Sequence, residues 1–202
     1  FWLDKAGRIN QNRSNGQRKP HKVLLLLVAI RQWQAGVKSL PFEQVDRELN
    51  DLLKAYAPPV KTRHQPELPY WHLQSDGLWN VPGSDEMPRV KGGFPTKASL
   101  RRSSGALPGE MLRALDADPL LAGLVLQQLL RDHFPESIQQ ELVDRLGLSD
   151  MSMAGEDNVQ LSANTKRARD PQFRDMVLRA YDYRCAITGY QLLLGGTAFG
   201  CE

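Results

Sequence analysis

The chemistry most plainly written into these 202 residues is attraction for a polyanion. From Lys5 to Lys38 the chain carries Lys5, Arg8, Arg13, Arg18, Lys19, Lys22, Arg31 and Lys38 with no acid among them. A second basic stretch runs through Arg89, Lys91, Lys97, Arg101 and Arg102, and a third through Lys166, Arg167 and Arg169. The acids gather elsewhere, in Glu43 to Asp51 and Glu136 to Asp150, so a formal net charge of only +3 hides a strong segregation. Arginine and lysine can hold phosphates and, aimed into a major groove, can donate to guanine. Charge runs are also found as plainly solvated faces, so charge alone leaves both readings open.

Other chemistry is sparse. A zinc pair built on Cys185 would need a second cysteine at position 188, which is threonine, and Cys201 stands apart. The expectation is buried thiols with no metal site, and two cysteines near one end suit a reducing cytoplasm better than a disulfide scaffold. The longest apolar run, Val23 to Ile30, is flanked by Lys22 and Arg31. It is far short of the roughly 18 to 20 residues a membrane span needs, and it is not placed as a signal peptide. Phe1 at one end and Cys201-Glu202 at the other read as cuts in a longer polypeptide.

The elements that must position these groups follow from periodicity. With 41% hydrophobic residues the chain can form one substantial core and part of a second domain. Residues 8 to 20, rich in Asn, Gln, Arg and Gly, read as an irregular basic loop closed by Pro20. From His21 the chain is apolar nearly all round to Trp33, the pattern of a buried helix that holds His21 and Lys22 rigidly at its entrance. His21 on its own reads as a helix-capping residue. Val45, Leu49, Leu52, Leu53 and Tyr56 signal a helix over 41–56, stopped by Pro58-Pro59. In 68–81, aromatic-rich runs flank Asp76-Gly77, which predicts a β-hairpin opened by Pro69, with Tyr70 a core aromatic. Residues 82–109 read as a surface loop. Helices are expected over 108–115, 119–134 and 137–146, the last ended by Gly147.

Residues 151–168, without periodicity, read as a linker, and 169–202 as too short for an independent core. This last part, Arg169-Asp170-Pro171-Gln172-Phe173-Arg174 followed by Tyr181-Asp182-Tyr183-Arg184-Cys185-Ala186-Ile187-Thr188-Gly189-Tyr190, resembles the opening of an HNH endonuclease domain. Its catalytic histidine and metal ligands are not identifiable here, so no catalytic residue is assigned and the chain is expected not to cut DNA.

A second resemblance covers most of residues 10–150. Pro20-His21-Lys22 with the leucines to Leu27, Leu68-Pro69-Tyr70-Trp71-His72 through Trp79, and His133-Phe134-Pro135-Glu136-Ser137 are similar to the sulfur-binding domain of phosphorothioation-dependent, McrA-like HNH restriction enzymes. The resemblance implies recognition of DNA in which sulfur replaces one non-bridging phosphate oxygen. Sulfur is larger, more polarisable and more weakly hydrated than oxygen, so an apolar cup costs it less. Carried over position by position, the cup is Pro69, Leu68, His21 and the stem of Lys22, with Tyr70 beside it and His72 on the far side. Leu68 stands where the family has tyrosine, Lys22 where arginine is common and His72 where a smaller residue can occur. Arg13, Arg18, Lys19 and Lys22 would meet phosphates, the loop with Arg89, Lys91 and Lys97 would meet base edges, and Ser14 and Gln17 would add polar contacts. Arg63 and His64 lie near the cup in sequence, or form only a solvated turn.

The combined expectation is an α+β, mainly helical chain with a small hairpin. Residues 1–150 would bind phosphorothioate-modified double-stranded DNA, and 169–202 would begin the nuclease of a type IV HNH restriction enzyme. No cofactor is expected in this piece, Mg or Mn is expected in the complete nuclease, a homodimer through that nuclease is left open, and the place of work is the cytoplasm. The competing readings are a module for unmodified or base-methylated DNA, and a protein-interaction module.

Overall fold

The computed structural model describes residues 1–9, 19–60, 62–90 and 93–151, and the backbone of 13–14, 17–18, 192–194 and 197–199. The chain divides into two compact units, Phe1–Ser162 and Ala163–Glu202. In the second, strands β5 (Leu192–Leu194) and β6 (Thr197–Phe199) pair antiparallel. The residues that resemble an HNH opening, the 151–168 linker apart from Met151, and both cysteines lie outside the described residues.

In the first unit, α2 (His21–Gln34) is the axis around which the rest is built, with Pro20 as its N-cap. Every residue from Val23 to Ile30 is buried, because α3 (Phe42–Tyr56), α4 (Glu67–His72), α7 (Pro119–His133) and α8 (Glu136–Leu146) all pack against it. A helix enclosed on every side must be apolar on every side, which is what the leucine run supplies. By contrast α3 is amphipathic and buries only Phe42, Val45, Leu49, Leu52 and Leu53. α6 (Gly109–Ala117) packs on α7, as does α1 (Trp2–Gly7), a short helix that the sequence reading did not anticipate. Gly147, at φ +65°, closes α8 in the left-handed conformation that glycine adopts without steric cost.

The hairpin expected over 68–81 is not there. Residues Glu67–His72 form α4, Leu73–Asp76 continue as a 3-10 turn, and Gly77, at φ +67°, terminates that turn. Pro66 and Pro69 sit in the helix's first turn, where a missing N–H breaks no intrahelical bond, and Tyr70 and Leu73, three residues apart, are both fully buried. Asp-Gly therefore ends a helix instead of reversing a strand, and Pro69 opens no strand.

Small antiparallel pairs occur elsewhere. β1 (Arg13–Ser14) pairs antiparallel with β2 (Gln17–Arg18), so the basic stretch read as irregular contains a short paired segment. β3 (Leu40–Pro41) pairs with β4 (Ser104–Gly105). Within the stretch read as loop, α5 (Lys97–Arg101) is capped by Thr96, whose hydroxyl accepts from Ser99 N at 3.2 Å. The chain is thus mainly helical with small two-stranded sheets. No helix among the described residues is long and apolar enough to cross a membrane.

Candidate DNA interface

A cavity of about 350 Å³ opens where three chain segments meet. The entrance of α2 supplies His21 and Lys22, preceded by Lys19; α4 and the turn after it supply Leu68, Pro69, His72 and Ser75; the segment between α3 and α4 supplies Val60, Arg63, His64 and Gln65. Pro20 starts α2 in a fixed place and the buried leucines behind it hold that place, while Pro69 and Tyr70 anchor α4. Two segments almost fifty residues apart in sequence are thus locked side by side, as α2 and α4 pack directly.

The walls are mixed: Val60, Leu68 and Pro69 are apolar, Gln65, Ser75 and three histidines are polar, and Lys19, Lys22 and Arg63 carry charge. Leu68 remains 38% exposed at the rim and Val60 46%, so aliphatic surface faces the opening. Three imidazoles line the cavity, and burial is the main cause lowering the pKa of each. His21 falls to about 4, with His64 and Lys19 adding to the effect of burial. His64 is lowered by burial and then by Lys54, and His72 by burial and then by Lys22, with Asp76 opposing. His21 is thus neutral at pH 7, and His64 and His72 are shifted toward the neutral form. The rings of His21 and His64 meet edge to face at 5.9 Å, and the Nδ1 atoms of both are buried without a hydrogen-bond partner.

Lys22 does not stand as a free cation. Its Nζ lies 2.6 Å from Asp76 Oδ2, with the two side chains only 16% and 10% exposed, so the cavity is offered the stem of Lys22 more than its charge.

Of the six residues predicted for the pocket, the structure brings His21, Lys22, Leu68, Pro69 and His72 together around one cavity. Tyr70 is not among the lining residues: it is fully buried, edge-on to Phe42 at 4.9 Å and to Trp79 at 5.6 Å, with its hydroxyl 3.1 Å from Ser103 Oγ. Helical periodicity explains this, since a residue next to Pro69 on a helix points about 100° away from it. Arg63 and His64, weighed as a solvated turn, are part of the lining, and His64 is buried. Val60, Gln65 and Ser75 were missed; the one signal for Val60 and Gln65 was their position between the stop at Pro58-Pro59 and Pro69.

Around the cavity, Lys19 lines its edge. Arg13 faces Arg18 and Ser14 faces Gln17 across the β1–β2 pair, two residues ahead of Pro20. Arg89 lies over the Trp71 ring at 5.5 Å, and Lys97 Nζ is 3.9 Å from Glu67, which also accepts from Arg63 at 3.2 Å. Lys91 lies outside the described residues. The flanking backbone is pinned, with Val90 N donating to Phe94 O at 2.8 Å and Thr96 N to Pro88 O at 3.0 Å.

The cavity thus combines aliphatic surface from Leu68, Pro69, Val60 and the Lys22 stem with the cations Lys19 and Arg63. Solved structures with the same fold include the sulfur-binding domain of ScoMcrA complexed with phosphorothioated DNA, with a TM-score of 0.66 and 23% identity over 75% of this chain and 98% of that one. The sulfur-binding domain of SprMcrA complexed with phosphorothioated DNA matches with a TM-score of 0.60 and 21% identity, over 74% of this chain and 94% of that one. The type IV phosphorothioation-dependent restriction endonuclease ScoMcrA matches with a TM-score of 0.63 and 21% identity, over 90% of this chain but only 39% of the enzyme. No curated protein matches. The family model of the ScoMcrA-like DNA sulfur-binding domain matches residues 2–151, and the chain belongs to that family.

Proposed function

We infer that residues 2–151 bind double-stranded DNA carrying a phosphorothioate linkage, with the sulfur seated in the cavity between α2 and α4. The observation that carries this reading is the lining itself: Pro69, Leu68, the Lys22 stem, His21 and His72 share one cavity. Phosphate oxygen pressed against Leu68, Pro69 and the Lys22 stem would give up hydration that these aliphatic groups do not replace, whereas sulfur has less to lose. Lys19 and the β1–β2 pair supply the salt-dependent grip, and the Arg89–Lys97 loop the contacts to base edges.

The test is a gel shift with two duplexes of one sequence, one bearing a single phosphorothioate and one unmodified. Preference for the sulfur duplex supports the reading; equal affinity contradicts it and favours a module for ordinary or base-methylated DNA.

The chain is further proposed to be the recognition part of a modification-dependent HNH restriction endonuclease acting in the cytoplasm, with Mg or Mn and any homodimer contact belonging to the complete nuclease. Residues 169–202 alone lack the catalytic histidine, so this chain incubated with Mg or Mn and supercoiled modified plasmid should leave it uncut.

A further inference from the structure

The pairing of Lys22 with Asp76 bears on how strongly the cavity rejects ordinary DNA. Fifty-four residues separate the two, yet Lys22 Nζ and Asp76 Oδ2 meet at 2.6 Å in a nearly enclosed setting. Asp76 is held there by its turn: Ser75 Oγ donates to His72 O at 2.7 Å, Gln74 Nε2 donates to Trp71 O at 3.0 Å, and Gly77 ends the turn in the left-handed conformation. Ser75 lines the cavity, so the carboxylate stands just behind its wall.

A lysine at the mouth of a DNA-binding cavity would ordinarily attract any phosphate, and that attraction does not distinguish sulfur from oxygen. An ammonium already neutralised by a carboxylate 2.6 Å away offers much less to an incoming anion. The oxygen of a normal linkage, which needs a replacement for its lost water more than sulfur does, is the one penalised. We infer that Asp76 is a specificity-determining residue, which sharpens sulfur selection by committing the Lys22 ammonium to an internal partner and leaving only its stem to the cavity. This rests on the phosphorothioate reading above and adds to it a residue that is not part of the cavity lining.

Asp76→Asn tests it. The amide oxygen still accepts from Lys22, which preserves the turn, but the neutralising charge is gone. Measured by fluorescence anisotropy on matched duplexes, the variant should bind unmodified DNA about tenfold more tightly, the size of one added charge-assisted contact. The sulfur duplex should gain less, so the ratio of the two dissociation constants contracts. The salt dependence on unmodified DNA should steepen by roughly 0.9 in the log–log slope, one further phosphate neutralised. The double variant K22Q/D76N should lose that gain.

An unchanged ratio in D76N, or weakening of both duplexes alike with no change in salt slope, overturns the role of Asp76. Absence of any sulfur preference in the unsubstituted protein instead overturns the phosphorothioate reading, so the two failures are told apart.

Discussion

Phe94 lies 5.9 Å from His72, ring centre to ring centre, and 6.1 Å from Trp71, so the cavity wall and the base of the Pro88–Thr96 loop are one packed unit. Arg89, on the same loop, lies over Trp71. On the proposed reading, the sulfur in the cavity and the bases met by the loop would be held at a fixed separation. Phe94→Ala should loosen that register. Because Phe94 is only partly buried, the loss of stability should be about 1–2 kcal/mol, below the cost of a fully buried ring. Comparing sulfur duplexes of varied flanking sequence, the variant should lose discrimination between sequences more than it loses preference for sulfur.

Tyr70 offers a contrasting prediction. Ser103 Oγ donates to Leu100 O at 2.7 Å, so the proton between Tyr70 and Ser103 comes from the phenol, which burial pushes to a pKa of about 12. Tyr70→Phe removes one hydrogen bond while Ser103 keeps its own partner. Chemical denaturation should show a loss of roughly 0.5–1.5 kcal/mol, with the sulfur preference unchanged.

At Gly105 the backbone runs against the Trp79 indole. A Cβ there would lie 2.6 Å from Trp79 Nε1, and Trp79 is buried against Tyr70. Gly105→Ala must displace the indole or part β3 from β4. The expected cost is about 1–3 kcal/mol, seen as an earlier denaturation midpoint with an unaltered slope.

The lowered imidazole pKa values predict a pH dependence. His21 has its pKa lowered from 6.5 to about 4, so below pH 6.5 the unfolded chain takes up a proton that the folded chain refuses. Stability is full above pH 6.5 and declines as the pH falls toward about 4, with His64 and His72 shifted in the same direction. His21→Gln should flatten the decline over that window when denaturation midpoints are compared between pH 7 and pH 4.5.

Much of this was legible in the residues. A leucine run apolar on every face reads directly as an enclosed helix, and α3, α7 and α8 announced themselves by spacing and by their proline and glycine boundaries. The 68–81 segment failed because Asp-Gly serves both a hairpin and a helix end; only the burial of Tyr70 and Leu73 together, set by what α2 and α3 offered, decides between them. The family resemblance named most of the cavity, but the Val60–Gln65 segment has no periodicity to place it. The Lys22–Asp76 pair, fifty-four positions apart, has no local signal at all.

The central claim is that the hollow walled by Pro69 and the Lys22 stem accepts sulfur and turns away charged oxygen. The most direct measurement is the ratio of dissociation constants for unmodified and singly phosphorothioated duplexes, taken for the unsubstituted protein and for Pro69→Asp at one salt concentration. The account predicts a ratio well above one that falls to about one when the carboxylate enters the hollow; a ratio that survives Pro69→Asp in a folded protein would contradict it.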